Sequence, residues 1–224
     1  GWLNSNHTFS FANYHNPDRM HFGVLRVLND DKIAPAMGFG THPHDNMEII
    51  TIPLKGVLKH KDNMGDEWIP VLPGEVQVMS AGTGVQHSEI NGSVDEHLSL
   101  FQIWIFSDKQ NVTPRYDQKK FDANERKNKL QTLVTSIDET YEGSLKIHQD
   151  AIISRIDLDK SQSFDYKLKS KNHGVYIMNV SGKVLIDNTV LESRDAAGIW
   201  ETDAFKINTE EDTSLLFIEV PMKF

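Results

Sequence analysis

The chain of 224 residues contains no cysteine. Disulfide bonds and thiolate metal sites are therefore excluded, so any metal ion must be held by nitrogen and oxygen ligands. The length suits one large domain or two small ones, and either arrangement can bury a sizeable hydrophobic core.

Long apolar runs and an excess of positive charge are also absent. No apolar stretch approaches the roughly 20 residues of a membrane-spanning helix, and no secretory signal pattern opens the chain. The formal net charge of -9 argues against direct nucleic-acid binding, because phosphate contacts need a cationic surface. By elimination we expect a cytoplasmic protein without membrane contact. The apolar start around Trp2, without an initiator methionine, leads us to expect a short leading segment before Gly1.

The sequence predicts an all-β fold. Short alternating or apolar runs such as Glu48–Leu54, Glu75–Met79 and Leu98–Phe106 are bounded by Gly, Pro, Asn and Asp, which is typical of strands and turns. The charged segment 122–129 lacks strand character and is expected to be a short helix or a surface connection between two halves. A weak internal repeat, Gly56-Val57-Leu58-Lys59 and Gly182-Lys183-Val184-Leu185, suggests two copies of one β-barrel.

Two polar motifs, His42-Pro43-His44 and His87-Ser88-Glu89, predict a metal site. Side chains two apart in a strand share a face. If the two strands face each other across a barrel, three imidazoles and one carboxylate converge. This set is close to the two-histidine, one-carboxylate site of non-haem iron proteins. We therefore expect one divalent transition metal with open coordination positions, with Fe(II) favoured and Ni, Co, Mn, Cu or Zn also suitable. The other histidines, among them His60 and His173, are expected to be structural.

Longer motifs lie at Gly1-Trp2-Leu3, Gly40 to His44, Pro73 to Glu89 and Gln102-Ile103-Trp104-Ile105. Together they resemble the pirin family of bicupins, and most closely its bacterial branch described as quercetin 2,3-dioxygenases. The resemblance implies two tandem cupin barrels of the jelly-roll (double-stranded β-helix) type. It assigns residues 1–125 to an N-terminal metal-binding domain and residues 126–224 to a C-terminal domain without metal.

The resemblance also implies roles for individual residues. His42, His44, His87 and Glu89 match the family's metal ligands, and Glu48 is expected to orient a histidine ligand without binding the metal. As a flavonol dioxygenase, the protein would bind a small aromatic substrate and O2. Glu89 would take the proton of the substrate hydroxyl, and ring cleavage would release CO. We expect an apolar pocket around the flat substrate, formed by Phe39, Met47, Met79 and Phe101.

Two alternatives remain open from the sequence. Pirins also include transcription cofactors, so the chain could be a non-catalytic metal-binding protein that senses redox state and binds a protein partner. It could equally be another small-molecule cupin enzyme, such as a metal-assisted isomerase, because one fold hosts many chemistries.

Overall fold

The computed structural model describes residues 1–223, and nearly all of its regular structure is β-strand. The predicted all-β class is confirmed. Within these residues the single helix is a short 3-10 turn, Ala123–Arg126, where the Asp122 side chain accepts a hydrogen bond from the Asn124 backbone N–H. It lies in the charged segment that was expected to be a helix or a connection. No helix in this part of the chain has the length and apolar character needed to cross a membrane.

Contacts divide the chain into two compact units. The first comprises Gly1–His21, Leu25–Phe121 and Leu145–Gln149; the second comprises Phe22–Val24, Asp122–Ser144 and the residues from Asp150 onward. The domains predicted from the sequence, 1–125 and 126–224, are contiguous. The first unit also contains residues 145–149 and the second unit also contains residues 22–24, and the domain boundary at 125 stays a prediction.

The first unit is built from two antiparallel sheets. Its strands are β1 Leu3–His7, β2 Leu25–Ile33, β3 Gly38–His44, β4 Met47–Lys55, β5 Leu58–Asp62, β6 Ile69–Val71, β7 Glu75–Ser80, β8 Val85–Asn91, β9 Leu98–Phe106 and β10 Arg115–Lys120. The larger sheet has the order β1-β2-β9-β4-β7-β10, and the smaller has the order β3-β8-β5-β6.

The second unit also has two sheets. Its strands are β11 Gln131–Ser136, β13 Ile152–Leu158, β14 Ser163–Lys167, β15 His173–Ser181, β16 Val184–Ile186, β17 Thr189–Leu191, β18 Ala196–Trp200, β19 Ala204–Thr209 and β20 Thr213–Pro221. Strand β12, Leu145–Ile147, belongs to the first unit. The sheets contain the orders β11-β13-β20-β15-β18 and β14-β19-β16-β17.

The two units repeat one topology. The order β2-β9-β4-β7 corresponds to β13-β20-β15-β18, and β3-β8-β5-β6 corresponds to β14-β19-β16-β17. Gly56 and Gly182 begin the two segments of the weak sequence repeat. They occupy the equivalent turns β4–β5 and β15–β16. Both have a positive φ, +84° and +90°, a conformation that glycine adopts without strain. The predicted duplication is thus present in the fold.

The interior of the first unit has two apolar ends with a polar band between them. One end contains Ile33, Leu58 and Leu100, and the other contains Ile49 and Val85. Between them, the larger sheet presents buried polar residues at cross-strand positions: Asn29, Gln102, Thr51 and Gln77. Buried polar groups are costly unless they find partners. This band therefore marks the position of a functional site.

Candidate metal centre

Three histidines meet on the inner face of the smaller sheet. His42 of β3 lies directly opposite His87 of β8, and His44 follows two residues later on the same face. The ring centroids are 4.4 Å apart for His42–His87 and 4.9 Å apart for both pairs with His44. The nitrogens that these rings offer lie within 4.8 Å of one another. β3 and β8 are hydrogen-bonded neighbours, so the expectation that they face each other across a barrel is wrong.

A bulge in β3 shapes this side of the site. Phe39 pairs with Glu89 and His42 with His87, so β3 carries one extra residue between them. Without it, positions 39 and 42 would point to opposite faces, whereas both line the same cavity. Gly38 permits the close approach of the two strands, because a Cβ there would lie 2.2 Å from the Glu89 carbonyl oxygen.

The histidine nitrogens fit a transition-metal ion. His42 Nδ1 lies 2.8 Å from the Gly40 carbonyl oxygen, and because a carbonyl only accepts, Nδ1 donates and Nε2 keeps its lone pair. His44 Nε2 and both nitrogens of His87 are buried and have no hydrogen-bond partner. Burial, reinforced by the neighbouring histidines, lowers the pKa of His87 to about 2, and burial with His42 lowers that of His44 to about 4. The His44 and His87 rings are therefore neutral near pH 7, as metal ligands must be.

Glu89 lies beside this cluster and is held by the polar band. Gln102 Nε2 donates to Glu89 Oε2 at 2.9 Å, and the Thr51 hydroxyl lies 3.4 Å from Oε1. Burial, with the charge of Asp31, raises the pKa of Glu89 to about 7, although its two hydrogen-bond donors oppose the shift. A carboxylate oxygen of Glu89 lies within 4.8 Å of ring nitrogens of His60 and His87. His42 and His44 do not belong to this second group of possible ligands. The four-ligand set remains a prediction, of which the structure brings three members together.

His60 is the residue that the sequence analysis missed. It is fully buried on β5, opposite Glu89 of β8. The Asp62 carboxylate accepts a hydrogen bond from its Nε2 at 2.8 Å, and Gln77 Nε2 lies 3.3 Å from its Nδ1. Burial lowers the pKa of His60, while Asp62 acts in the opposite direction. The same two-residue spacing that singled out His42 and His44 also relates His60 to Asp62, so the signal was present in the sequence.

The structure does not bring Glu48 to the histidines. Thr51 of β4 points to the Glu89 side, and Glu48, an odd number of positions away, points to the other face of the sheet. There Ser80 Oγ donates to Glu48 Oε2 at 2.6 Å. Burial raises the pKa of Glu48, and hydrogen bonds from Ser80 and His148 oppose the rise.

The histidine cluster opens onto a cavity of about 410 Å³. Its aromatic lining consists of Trp2, Phe11, Phe39 and Trp104, and its polar lining of Asn29, Asp31, His42, Glu89 and Gln102. Trp104 meets the His44 ring edge-on, with centroids 4.8 Å apart.

Of the four residues expected around a substrate, only Phe39 lines this cavity. Met47 and Met79 pack with Ile49 in an apolar cluster instead. Phe101 is buried in the core, because it precedes Gln102 on β9 and therefore points to the opposite face. These three placements correct the expected pocket.

The second unit fills the equivalent positions with apolar side chains. Tyr166 and Phe205 are cross-strand partners on β14 and β19, as His42 and His87 are on β3 and β8. The Tyr166 ring stacks on Phe205 at 5.2 Å and on Phe217 at 4.8 Å. His173 lies on β15, the counterpart of β4, and not on the counterpart of β3 or β8.

Duplicated antiparallel jelly-roll units, with a histidine cluster inside the first, define a bicupin. Comparison with known protein families supports this assignment. A family model described as Pirin matches residues 1–105, and one described as Quercetinase C-terminal cupin domain matches residues 133–220. The chain belongs to the pirin family.

Individual relatives cover the whole chain. A protein named quercetin 2,3-dioxygenase from Escherichia coli (strain K12) is 45% identical over 99% of this chain and 93% of its own length. A pirin-like protein from Caulobacter vibrioides is 38% identical over 98% of this chain and 93% of its own length. The crystal structure of the bacterial pirin YhhW from E. coli in complex with nickel(II) matches with a TM-score of 0.91 at 41% identity, covering 99% of this chain and 93% of that one.

Proposed function

We propose that the protein is a metal-dependent dioxygenase that cleaves flavonols such as quercetin. The observation that carries the proposal is the cluster of three histidines, in which His44 and His87 have buried nitrogens without hydrogen-bond partners, beside a cavity lined by aromatic rings. The relatives named quercetin 2,3-dioxygenase support the same reaction class.

His42, His44 and His87 would hold one divalent ion through the nitrogens that have no partner in the protein, with Glu89 as a further ligand. When bound, this ion would supply Lewis-acid activation of the adjacent hydroxyl and carbonyl groups of a flavonol. Three imidazoles accept Fe(II), and nickel(II) is the ion present in the YhhW crystal structure.

The other side chains would position the substrate and move its proton. Phe39 and Trp104 offer aromatic faces and edges to a flat ring system. The Glu89 carboxylate lines the same cavity and would take the proton of the substrate 3-hydroxyl, while Gln102 fixes its orientation. The resulting electron-rich ring reacts with O2, and cleavage releases CO.

The test is oxygen consumption and CO release with quercetin, after reconstitution with Fe(II) or nickel(II) and measurement of the bound metal. Glu89→Gln should lower turnover by at least about 100-fold, the usual range for loss of a general base. Glu48→Gln is the matched control, because it neutralises another buried carboxyl that lies outside the cavity. Bound metal without quercetin-dependent oxygen uptake would refute the dioxygenase and favour the non-catalytic metal-binding alternative.

A further inference from the structure

A pair of buried side chains, Asn29 and Asp31, lines the cavity without belonging to the histidine cluster. Both project from β2, two residues apart and therefore on one face. Asn29 stands opposite Gln102, the residue that holds Glu89. The pair therefore lies on the strand next to β9, which carries Gln102, and it lines the same cavity as Glu89.

Both side chains have unused hydrogen-bonding capacity. Asn29 is 3% exposed and Asp31 is 4% exposed, and the Oδ1 atom of each has no hydrogen-bond partner. Buried oxygens without donors are rare in native proteins, because each costs about 1–3 kcal/mol. The terminal torsions of Asn and Asp are soft, so small rotations can turn these oxygens toward a ligand in the cavity.

The chemistry of the pair selects the kind of ligand group that fits. The two unpartnered atoms are acceptors, so their partner must be a donor such as a hydroxyl. The aromatic lining formed by Trp2, Phe11, Phe39 and Trp104 favours a flat ring as the carrier of that hydroxyl. A phenolic hydroxyl on an aromatic ring meets both conditions.

We propose that Asn29 and Asp31 form a specificity subsite that accepts hydrogen bonds from ring hydroxyls of the substrate, so that polyhydroxylated flavonoids bind more tightly than unsubstituted ones. The proposal deepens the proposed function, since it rests on the same cavity receiving a flavonol. It concerns hydroxyl groups other than the 3-hydroxyl that takes part in the reaction.

Three ligands test the subsite by anaerobic calorimetry on nickel-loaded protein. Quercetin carries the reacting 3-hydroxyl and four further hydroxyls, 3-hydroxyflavone carries the 3-hydroxyl alone, and luteolin carries the further hydroxyls without the 3-hydroxyl. The wild-type protein should bind quercetin at least about 10-fold more tightly than 3-hydroxyflavone, the effect of a single good hydrogen bond. Asn29→Leu and Asp31→Leu should each reduce that preference by about 10-fold, where the preference is the ratio of the two dissociation constants measured on the same variant.

Conservative variants separate recognition from folding. Asp31→Asn retains an acceptor oxygen and should keep more of the quercetin preference than Asp31→Leu. Retained 3-hydroxyflavone binding shows that the cavity of a variant is intact. A quercetin preference that survives in both leucine variants would overturn the subsite, as would failure of the wild type to bind any of the three ligands. The subsite stands if the wild type binds luteolin and the leucine variants bind it more weakly. If quercetin is never oxidised in that case, the dioxygenase proposal alone fails.

Discussion

Replacing His87 by leucine should have opposite effects on the metal-free and metal-loaded protein. Both ring nitrogens of His87 are buried without a hydrogen-bond partner, and an unsatisfied buried group costs about 1–3 kcal/mol. Leucine is of similar size and has no polar atom, so the metal-free His87→Leu variant should be more stable by about 1–3 kcal/mol. At about 2–4 °C per kcal/mol for a chain of this length, unfolding should occur roughly 2–12 °C higher. Phe205 at the equivalent position of the second unit shows that the topology accepts an apolar residue there.

Adding nickel(II) should make the wild type more stable than His87→Leu. A ligand at 100 times its dissociation constant stabilises a folded protein by about 2.7 kcal/mol, which corresponds to a rise of roughly 5–10 °C in the wild type. His87→Leu removes one of the three nitrogen donors, so nickel should raise its unfolding temperature clearly less than that of the wild type. Differential scanning calorimetry in EDTA and in nickel(II) measures both effects.

The exposed His97→Leu is the matched control, because it makes the same substitution outside the cluster and should follow the wild type in both conditions. Equal nickel-induced rises in the wild type and in His87→Leu would refute the assignment of His87 as a ligand. A metal-free variant clearly less stable than the wild type would refute the argument from unsatisfied nitrogens.

Three further predictions address the scaffold. Gly38→Ala should destabilise the protein by about 1–3 kcal/mol in urea unfolding, since the new methyl group would overlap the Glu89 backbone, whereas Gly40→Ala, with no atom within 4 Å of its Cβ, should be close to neutral. Phe217→Ala should cost about 3–5 kcal/mol because it removes a buried ring stacked on Tyr166; a loss below 1 kcal/mol would contradict the packing described. Burial alone would raise the pKa of Asp150, but Lys169 and His173 hold it below its ordinary value of 3.8. The stability advantage of the wild type over Asp150→Asn should therefore be fully present above about pH 4 and disappear as the pH falls further; a difference independent of pH would contradict it.

Strand positions and the same-face pairs of polar residues were predictable from the sequence, because both depend on the period of two in β-structure. His42 and His44 share a face by that rule, and so do His87 and Glu89. The adjacency of β3 and β8 was not predictable, because the pairing of strands depends on topology that spacing does not encode. The bulge after Phe39 was hidden for a similar reason, since one extra residue changes which side chains share a face.

The errors around the pocket have a common physical origin. Met47, Met79 and Phe101 are apolar and near the motifs in sequence, yet apolar character cannot distinguish a cavity wall from a packed core. Glu48 shows the converse case, because a buried carboxylate close to a ligand motif can face the other side of the sheet. Polar residues inside strands, such as Asn29 and Gln102, were the more informative signal, since burial of polar groups requires a partner.

The stacked rings of Tyr166, Phe205 and Phe217 show that two copies of one fold do not have to meet the same demands. The first copy has buried polar side chains between its apolar ends, and such groups are costly unless they find partners. The second copy packs aromatic rings at the corresponding positions. Tyr166→His together with Phe205→His would measure how much stability this fold loses when a histidine pair replaces a stacked aromatic pair.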